Sequence, residues 1–135
     1  MLAELAQLAL NGGSLEEGAV RARESLDLAE QMRDRGGRVF GVGLFARLAA
    51  ERGQVERAGR LWGAIEDEDA GAPLGGWRRH RQRCEERMRT VSGPDFARGR
   101  VAGHKLTLDE AVSIALTPAA TEATAPPGLP KRKTC

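Results

Sequence analysis

The chain has 135 residues, of which 41% are hydrophobic and 30% charged, and its formal net charge is +2. This length suits one domain, and no apolar run is long enough to span a membrane. The small net charge does not by itself call for nucleic acid or an anionic membrane as partner.

The N-terminus and the cysteines indicate the cellular compartment of the protein. The segment Met1-Leu-Ala-Glu-Leu5 lacks a basic region and carries an acidic residue, so it predicts a helix and not a secretory signal. The two cysteines, Cys84 and Cys135, are too few for a disulfide framework. We therefore expect a cytoplasmic protein without a membrane partner.

Two segments that lie forty residues apart share a pattern. Leu5-Ala-x-Leu-Ala9, followed by Gly13-Ser-Leu-Glu16, aligns with Phe45-Ala-x-Leu-Ala49, followed by Gly53-Gln-Val-Glu56. In each copy an apolar helix face is followed by a glycine that can end the helix, and a second amphipathic helix begins after it. The pattern predicts an all-α fold, with two tetratricopeptide-like helical hairpins over residues 1–69.

Local signals place the helix ends of these hairpins. Ser14 and Glu17 have the spacing of a capping box at the start of a second helix. The run Arg33-Asp-Arg-Gly-Gly-Arg38 predicts a polar, glycine-containing turn between the two hairpins.

After residue 69 the repeat stops, and residues 70–116 predict C-terminal capping helices. An apolar stripe on an otherwise charged helix is expected to pack on the second hairpin; it comprises Trp77, Cys84, Met88 and Val91. Pro94 predicts the first turn of a short helix, and Thr107 with Glu110 predicts a capping box that opens a helix at residue 108. Residues 117–135, rich in Pro, Ala and Thr with a basic end, predict a disordered tail.

These residues resemble a known family. Gly13-x-Leu-Glu-Glu17, followed by Glu24-Ser-Leu-Asp-Leu-Ala-Glu30, is similar to the tetratricopeptide-like repeats of large bacterial signalling ATPases. The later motifs resemble the C-terminal end of the helical-repeat region in actinobacterial LuxR-type regulators and in cyclase-linked or kinase-linked predicted ATPases. They are Arg60-Leu-Trp-Gly-Ala64, Gly71-Ala-Pro73, Trp77, Gly93-Pro-Asp-Phe96, Gly103 and Leu106-Thr-Leu-Asp-Glu-Ala-Val112.

The resemblance covers nearly all of residues 1–116 and implies a sensor or docking arm within a larger regulator. The chain itself has no Gly-x-x-x-x-Gly-Lys-Ser/Thr loop, and it lacks the residues of the helix-turn-helix that follows the repeats in LuxR-type members. We therefore expect a truncated relative or a C-terminal fragment of such a regulator.

No residue constellation supports catalysis. His80 and His104 lack neighbours at metal-ligand spacing, and the serines lack a base and an orienting acid, so we expect no enzyme activity, metal or cofactor. The predicted function is a non-catalytic protein-interaction module that binds a protein or peptide. Its candidate groove comprises Leu8, Arg38, Arg47 and Glu51, and the exposed N-terminal helix is a candidate for self-association.

The alternative is a small nucleic-acid-binding protein that acts through the arginine-rich helix 77–89, with Arg79, Arg83 and Arg87 as a basic patch. The arginines of this helix spread around most of its circumference, so nucleic acid is not the expected partner.

Two further residues have competing interpretations. Trp62 is expected in the core and not in a ligand groove, and Cys84 is expected to be a buried, inert thiol and not a reactive one.

Overall fold

The computed structural model describes residues 9–10, 12–71 and 77–117, without the side chains of 67, 69–71 and 77–79. Within these ranges the fold is all-α. Its helices are α1 (Leu15–Met32), α2 (Arg35–Glu51), α3 (Val55–Gly71), α4 (Trp77–Arg89), α5 (Pro94–Gly103) and α6 (Leu108–Leu116). Ala9 and Leu10 are also helical. None of these helices is long and apolar enough to cross a membrane.

The two turns predicted at an offset of forty residues have the same backbone geometry. Gly13 has φ +87° and Gly53 has φ +77°, in the left-handed region that a side chain disfavours. The amide of Ser14 donates to the carbonyl of Ala9, and the amide of Gln54 donates to that of Ala49. The two helix ends are therefore closed in the same way, as glycine at this position favours. The repeat architecture as a whole stays a prediction.

The predicted turn within residues 33–38 is present, but it is shorter than expected and contains no glycine. Only Arg33 and Asp34 separate α1 from α2, with Arg33 in the left-handed conformation at φ 53°. The glycines that follow lie inside the first turn of α2. A Cβ at Gly37 would lie 2.9 Å from the Cβ of Ala29 on α1, and one at Gly41 would lie 2.8 Å from the side chain of Leu26. These glycines therefore permit the close approach of α2 to α1.

Helix α4 packs against α2 through part of the predicted stripe. Cys84 is 1% exposed and Met88 is 4% exposed, and Val91 packs against the same core. The thiol of Cys84 lies 4.0 Å from the carbonyl oxygen of Gly43, which places α4 directly on α2. The side chain of Trp77 lies outside the described residues. Trp62 on α3 is 3% exposed within the main core, which confirms the core interpretation.

The tightest helix pair joins α3 to α5 through glycines spaced four residues apart on both helices. A Cβ at Gly59 or Gly63 would overlap the backbone carbonyl of a residue on α5, and a Cβ at Gly99 or Gly103 would overlap a carbonyl on α3. A glycine inside a helix lowers the stability of that helix by about 1 kcal/mol relative to alanine. The close backbone packing between α3 and α5 therefore has to offset this loss at four positions. The sequence reasoning missed this pair, although the Gly-x-x-x-Gly spacing was visible.

An ion pair reinforces the α3–α5 contact at one end. Arg100 of α5 donates from Nε and Nη2 to the two carboxylate oxygens of Glu66 on α3, at 2.6 and 2.7 Å. The Glu66 side chain is only 14% exposed, and a bidentate pair of this kind fixes orientation as well as distance. The glycine pairs and this bridge together fix α5 along α3.

Of the two predicted capping boxes, only the second forms. The amide of Glu110 donates to the Thr107 hydroxyl at 3.1 Å, and the amide of Thr107 donates to the Glu110 carboxylate at 2.9 Å. Ser14 is the N-cap residue of α1, but its side chain makes no capping hydrogen bond. The prediction for Ser14 and Glu17 is therefore wrong, although the helix begins where it was expected.

The two N-cap residues form a matched test. Thr107→Ala removes the acceptor for an otherwise unsatisfied amide and should lower the free energy of unfolding by about 1 kcal/mol. Ser14→Ala removes no such bond and should have a clearly smaller effect. Urea unfolding followed by circular dichroism measures both variants. Equal losses would show that the Thr107 hydrogen bond does not stabilise α6.

Candidate functional site

The short helix α6 lies on a surface formed by α1, α2 and α3 and is held through its apolar face. Leu108, Ala111, Val112 and Ala115 recur at i, i+3, i+4 and i+7, and each is at most 9% exposed. They belong to the main core cluster, together with residues of α2 and α3. This spacing places one continuous apolar stripe of α6 against the other helices.

Ion pairs hold the N-terminal end of α6. Arg38 of α2 donates from Nη1 to the carboxylate of Asp109 at 2.6 Å, and the same nitrogen lies 3.7 Å from a carboxylate oxygen of Glu30. The Arg38 side chain is only 11% exposed, whereas that of Asp109 is 66% exposed. Arg33 lies 3.9 Å from the same Asp109 carboxylate. An acidic residue in the first turn also suits the positive end of the helix dipole.

The C-terminal end of α6 is held through backbone carbonyls. Arg57 of α3 donates from Nη2 to the carbonyl of Ile114 at 2.9 Å and to that of Thr117 at 2.8 Å. Arg23 of α1 donates from Nη1 to the carbonyl of Leu116 at 3.0 Å. The last carbonyls of a helix lack partners within the helix, so these arginines satisfy them. Such contacts depend on the presence of a helix end and not on the side chains of α6.

The predicted groove residues lie in different environments. Arg38 contacts Asp109 as described, and Glu51 is exposed and lies 3.6 Å from Arg87 of α4. Arg47 is 1% exposed, so α4 and the core cover it and it offers no surface to a partner in this structure. Leu8 lies outside the described residues. Arg38 therefore contacts α6, whereas Glu51 lies beside α4.

Burial also shifts the pKa values of Arg47 and Cys84, whose charges act on each other. Burial lowers the pKa of the Arg47 guanidinium, and the nearby Arg87 lowers it further. Burial raises the pKa of the Cys84 thiol to about 12, against the favourable effect of Arg47 on the thiolate. Because the folded pKa lies above the ordinary value of 9.0, the thiol's contribution to stability is complete below pH 9 and declines as the pH rises through about 12. Cys84 is therefore a neutral, buried thiol at physiological pH.

The predicted basic patch is partly described. Arg83 and Arg87 are exposed, and the side chain of Arg79 lies outside the described residues. Acidic residues lie close to the arginines of this helix, because Arg87 approaches Glu51 and Arg81 lies 3.7 Å from Glu85. The expectation about nucleic acid is not tested by this arrangement.

The sequence reasoning missed three of the residues that hold α6. Arg23, Arg57 and Asp109 were not singled out, although Asp109 lies inside the predicted capping box. Arg23 and Arg57 follow no motif, because each binds carbonyls that are at least 57 positions away in the sequence. In the part of the chain that the structure describes, no group of three or more His, Cys, Asp or Glu residues could hold a metal ion.

Comparisons with known proteins leave the family open. No family model, curated protein or solved structure gives a significant match to this chain. The similarity to the repeat region of LuxR-type regulators and predicted ATPases therefore stays a prediction from sequence motifs, and the contacts of α6 are the basis for any functional conclusion.

Proposed function

We propose that this chain is a non-catalytic protein-interaction module that receives a short amphipathic helix on the surface of α1, α2 and α3. In the free chain α6 takes the place of that helix. The observation that carries the proposal is the way α6 is held at both ends, by Arg38 at an acidic first turn and by Arg23 and Arg57 at the last carbonyls.

The contacts define the chemistry of the partner. A partner helix would need small or aliphatic residues at i, i+3, i+4 and i+7, as in Leu108 to Ala115, and an acidic residue in its first turn. The carbonyl contacts to its last turn would form with any helix of suitable length. The resemblance of residues 1–116 to bacterial signalling regulators supports a partner within such a regulator, and an in-frame nucleotide-binding segment encoded upstream would support it further.

Competition between α6 and an added helix tests the proposal. Asp109→Arg removes the ion pair with Arg38 and places a third positive charge beside Arg38 and Arg33, so α6 should be held less tightly. A fluorescent peptide with the native sequence of residues 105–117 should then bind the variant at least tenfold more tightly than it binds the native chain. In the native chain the tethered α6 competes at an effective concentration in the range of about 1 mM.

Two controls make the test specific. Ser113→Arg places an arginine on the exposed face of α6 without removing an acidic residue, and it should not increase peptide binding. A peptide with arginine in place of Asp109 should bind neither protein. If the Asp109→Arg variant keeps its helical circular dichroism spectrum but does not bind the native peptide, the surface does not receive helices and the proposal fails.

A further inference from the structure

Helix α1 carries a row of apolar side chains on the side that faces solvent. Val20, Leu28 and Met32 lie at i, i+8 and i+12, so they share one side of the helix. They are 55%, 46% and 68% exposed. A single exposed apolar side chain is ordinary, but a row of them on one helix is typical of an interaction site.

Acidic residues surround this row. Glu17, Glu24 and Asp27 lie on the same side of α1, and the helix as a whole carries five acidic residues and two arginines. Arg21 pairs with Glu24, and Arg23 donates to a carbonyl at the end of α6. This side of α1 is therefore both apolar and net negative, which favours a basic partner segment with an apolar residue of its own. We call it the open face of α1; it comprises Glu17, Val20, Glu24, Asp27, Leu28 and Met32.

The C-terminal end of the described chain lies beside the same helix. Arg23, near the middle of α1, donates to the carbonyl of Leu116 at 3.0 Å, so residues 118–135 begin next to α1. The fourteen positions from Thr117 to Lys131 span about 43 Å in a polyproline II conformation, at about 3.1 Å per residue. Helix α1 has 18 residues and is about 27 Å long. Every position of the open face is therefore within reach of Lys131.

The segment after residue 117 has a composition that complements the open face. The basic run Lys131-Arg-Lys133 follows Leu129 and prolines at 126, 127 and 130, and Glu122 is the one acidic residue of this segment. Proline restricts the backbone to extended conformations, so such a segment loses less conformational entropy on binding than an ordinary chain. A short tether also gives the segment an effective concentration of about 1 mM at the face, so a weak contact is sufficient.

We propose that residues 126–133 bind to the open face of α1, with Leu129 against the apolar row and Lys131-Arg-Lys133 beside the acidic residues. The occupant is this segment of the same chain, because its charge and its apolar residue match the face and because it begins next to α1. The proposal is independent of the helix-docking function, since it needs α6 in its native place.

A spin label on Cys135 tests the proposal in the full chain. Cys135 lies two positions after the basic run, whereas Cys84 is 1% exposed and burial raises the pKa of its thiol to about 12. A thiol reagent at neutral pH therefore modifies Cys135 selectively. In the NMR spectrum we expect the label to reduce the amide signals of residues 17–32 at least twofold more than those of α5. Equal reduction on both helices, or none on α1, would overturn the proposal.

Matched variants locate the contact. Val20→Lys adds a positive charge to the open face and should weaken the effect of the label on α1 at least twofold. Val101→Lys makes the same change at a similarly exposed valine of α5 and should leave the effect unchanged. The double variant Lys131→Glu and Lys133→Glu leaves the helices untouched and should also weaken the effect. If Val20→Lys and Val101→Lys behave alike, the segment binds elsewhere and the proposal fails.

Salt and a mixed sample complete the test. At a salt concentration of about 1 M the Debye length falls to about 3 Å, so the effect of the label on α1 should decrease at least twofold. In the mixed sample, spin-labelled chains without isotope are added to isotope-labelled chains without the spin label. We expect no reduction of the α1 signals in this sample. A reduction there would show that the segment of one copy binds another copy, which contradicts an intramolecular contact.

Discussion

Gly99→Ala should be among the most destabilising single substitutions in this protein, although alanine is the better helix former. A Cβ at Gly99 would overlap the carbonyl oxygen of Glu56, which belongs to the backbone of α3 and cannot rotate away. The two helices would have to separate, and the paired glycines at 59, 63 and 103 would lose their close contacts. We expect a loss of about 3 kcal/mol in the free energy of unfolding, at the upper end of the usual range for overpacking.

The matched control is Gly36→Ala in the first turn of α2. A Cβ there would meet only the Asp34 carboxylate at 3.7 Å, an ordinary contact, so this substitution should be neutral or stabilising by up to about 1 kcal/mol. Chemical denaturation of both variants measures the difference. If Gly99→Ala unfolds at the same urea concentration as the native protein, the backbones of α3 and α5 leave room for a Cβ at Gly99 and the close contact is absent.

Trp62→Ala should lower the free energy of unfolding by about 3 to 5 kcal/mol, the range for emptying a large aromatic site in a core. Trp62 is 3% exposed and belongs to the main core cluster, near Met88 of α4 and Phe96 of α5. Its removal would therefore weaken the packing of three helices at once. A stability of about 5 to 15 kcal/mol is usual for a domain, so this single loss would be a large share of it.

Val101→Ala is the control for Trp62→Ala. Val101 is 59% exposed on α5, and its truncation should change the stability by less than about 0.5 kcal/mol. Thermal and urea unfolding of both variants provide the comparison. A Trp62→Ala variant that unfolds together with Val101→Ala would place the tryptophan outside the core.

The features that the sequence predicted correctly depend on local chemistry. The capping box of Thr107 and Glu110, the start of α5 at Pro94 and the left-handed Gly13 each follow from bonds or conformations within a few residues. The glycines of the predicted turn were misplaced because glycine occurs both in turns and where helices pack closely. Gly37 was interpreted as part of the turn, whereas it lies inside α2 and allows this helix to approach α1 closely.

The candidate site was less predictable because its contacts are distant in sequence. Arg38 was identified as a candidate, but its partner Asp109 lies 71 positions further along the chain. Arg47 was expected at a surface, and only the position of α4 explains its burial. Periodicity gives the face of a helix on which a residue lies, but it does not give the helix that will cover that face.

The long sequence separation of the α6 contacts has a consequence for folding. The bonds from Arg23, Arg38 and Arg57 to α6 or the residue after it span 93, 71 and 57 to 60 positions. Contacts of this kind close large loops and form slowly, whereas the turns between α1, α2 and α3 form locally. During synthesis on the ribosome, the surface under α6 is therefore made before α6 leaves the exit tunnel. Until then, the nascent chain exposes the apolar surface that α6 covers in the folded protein. We therefore expect the docking of α6 to protect the newly synthesised protein from aggregation.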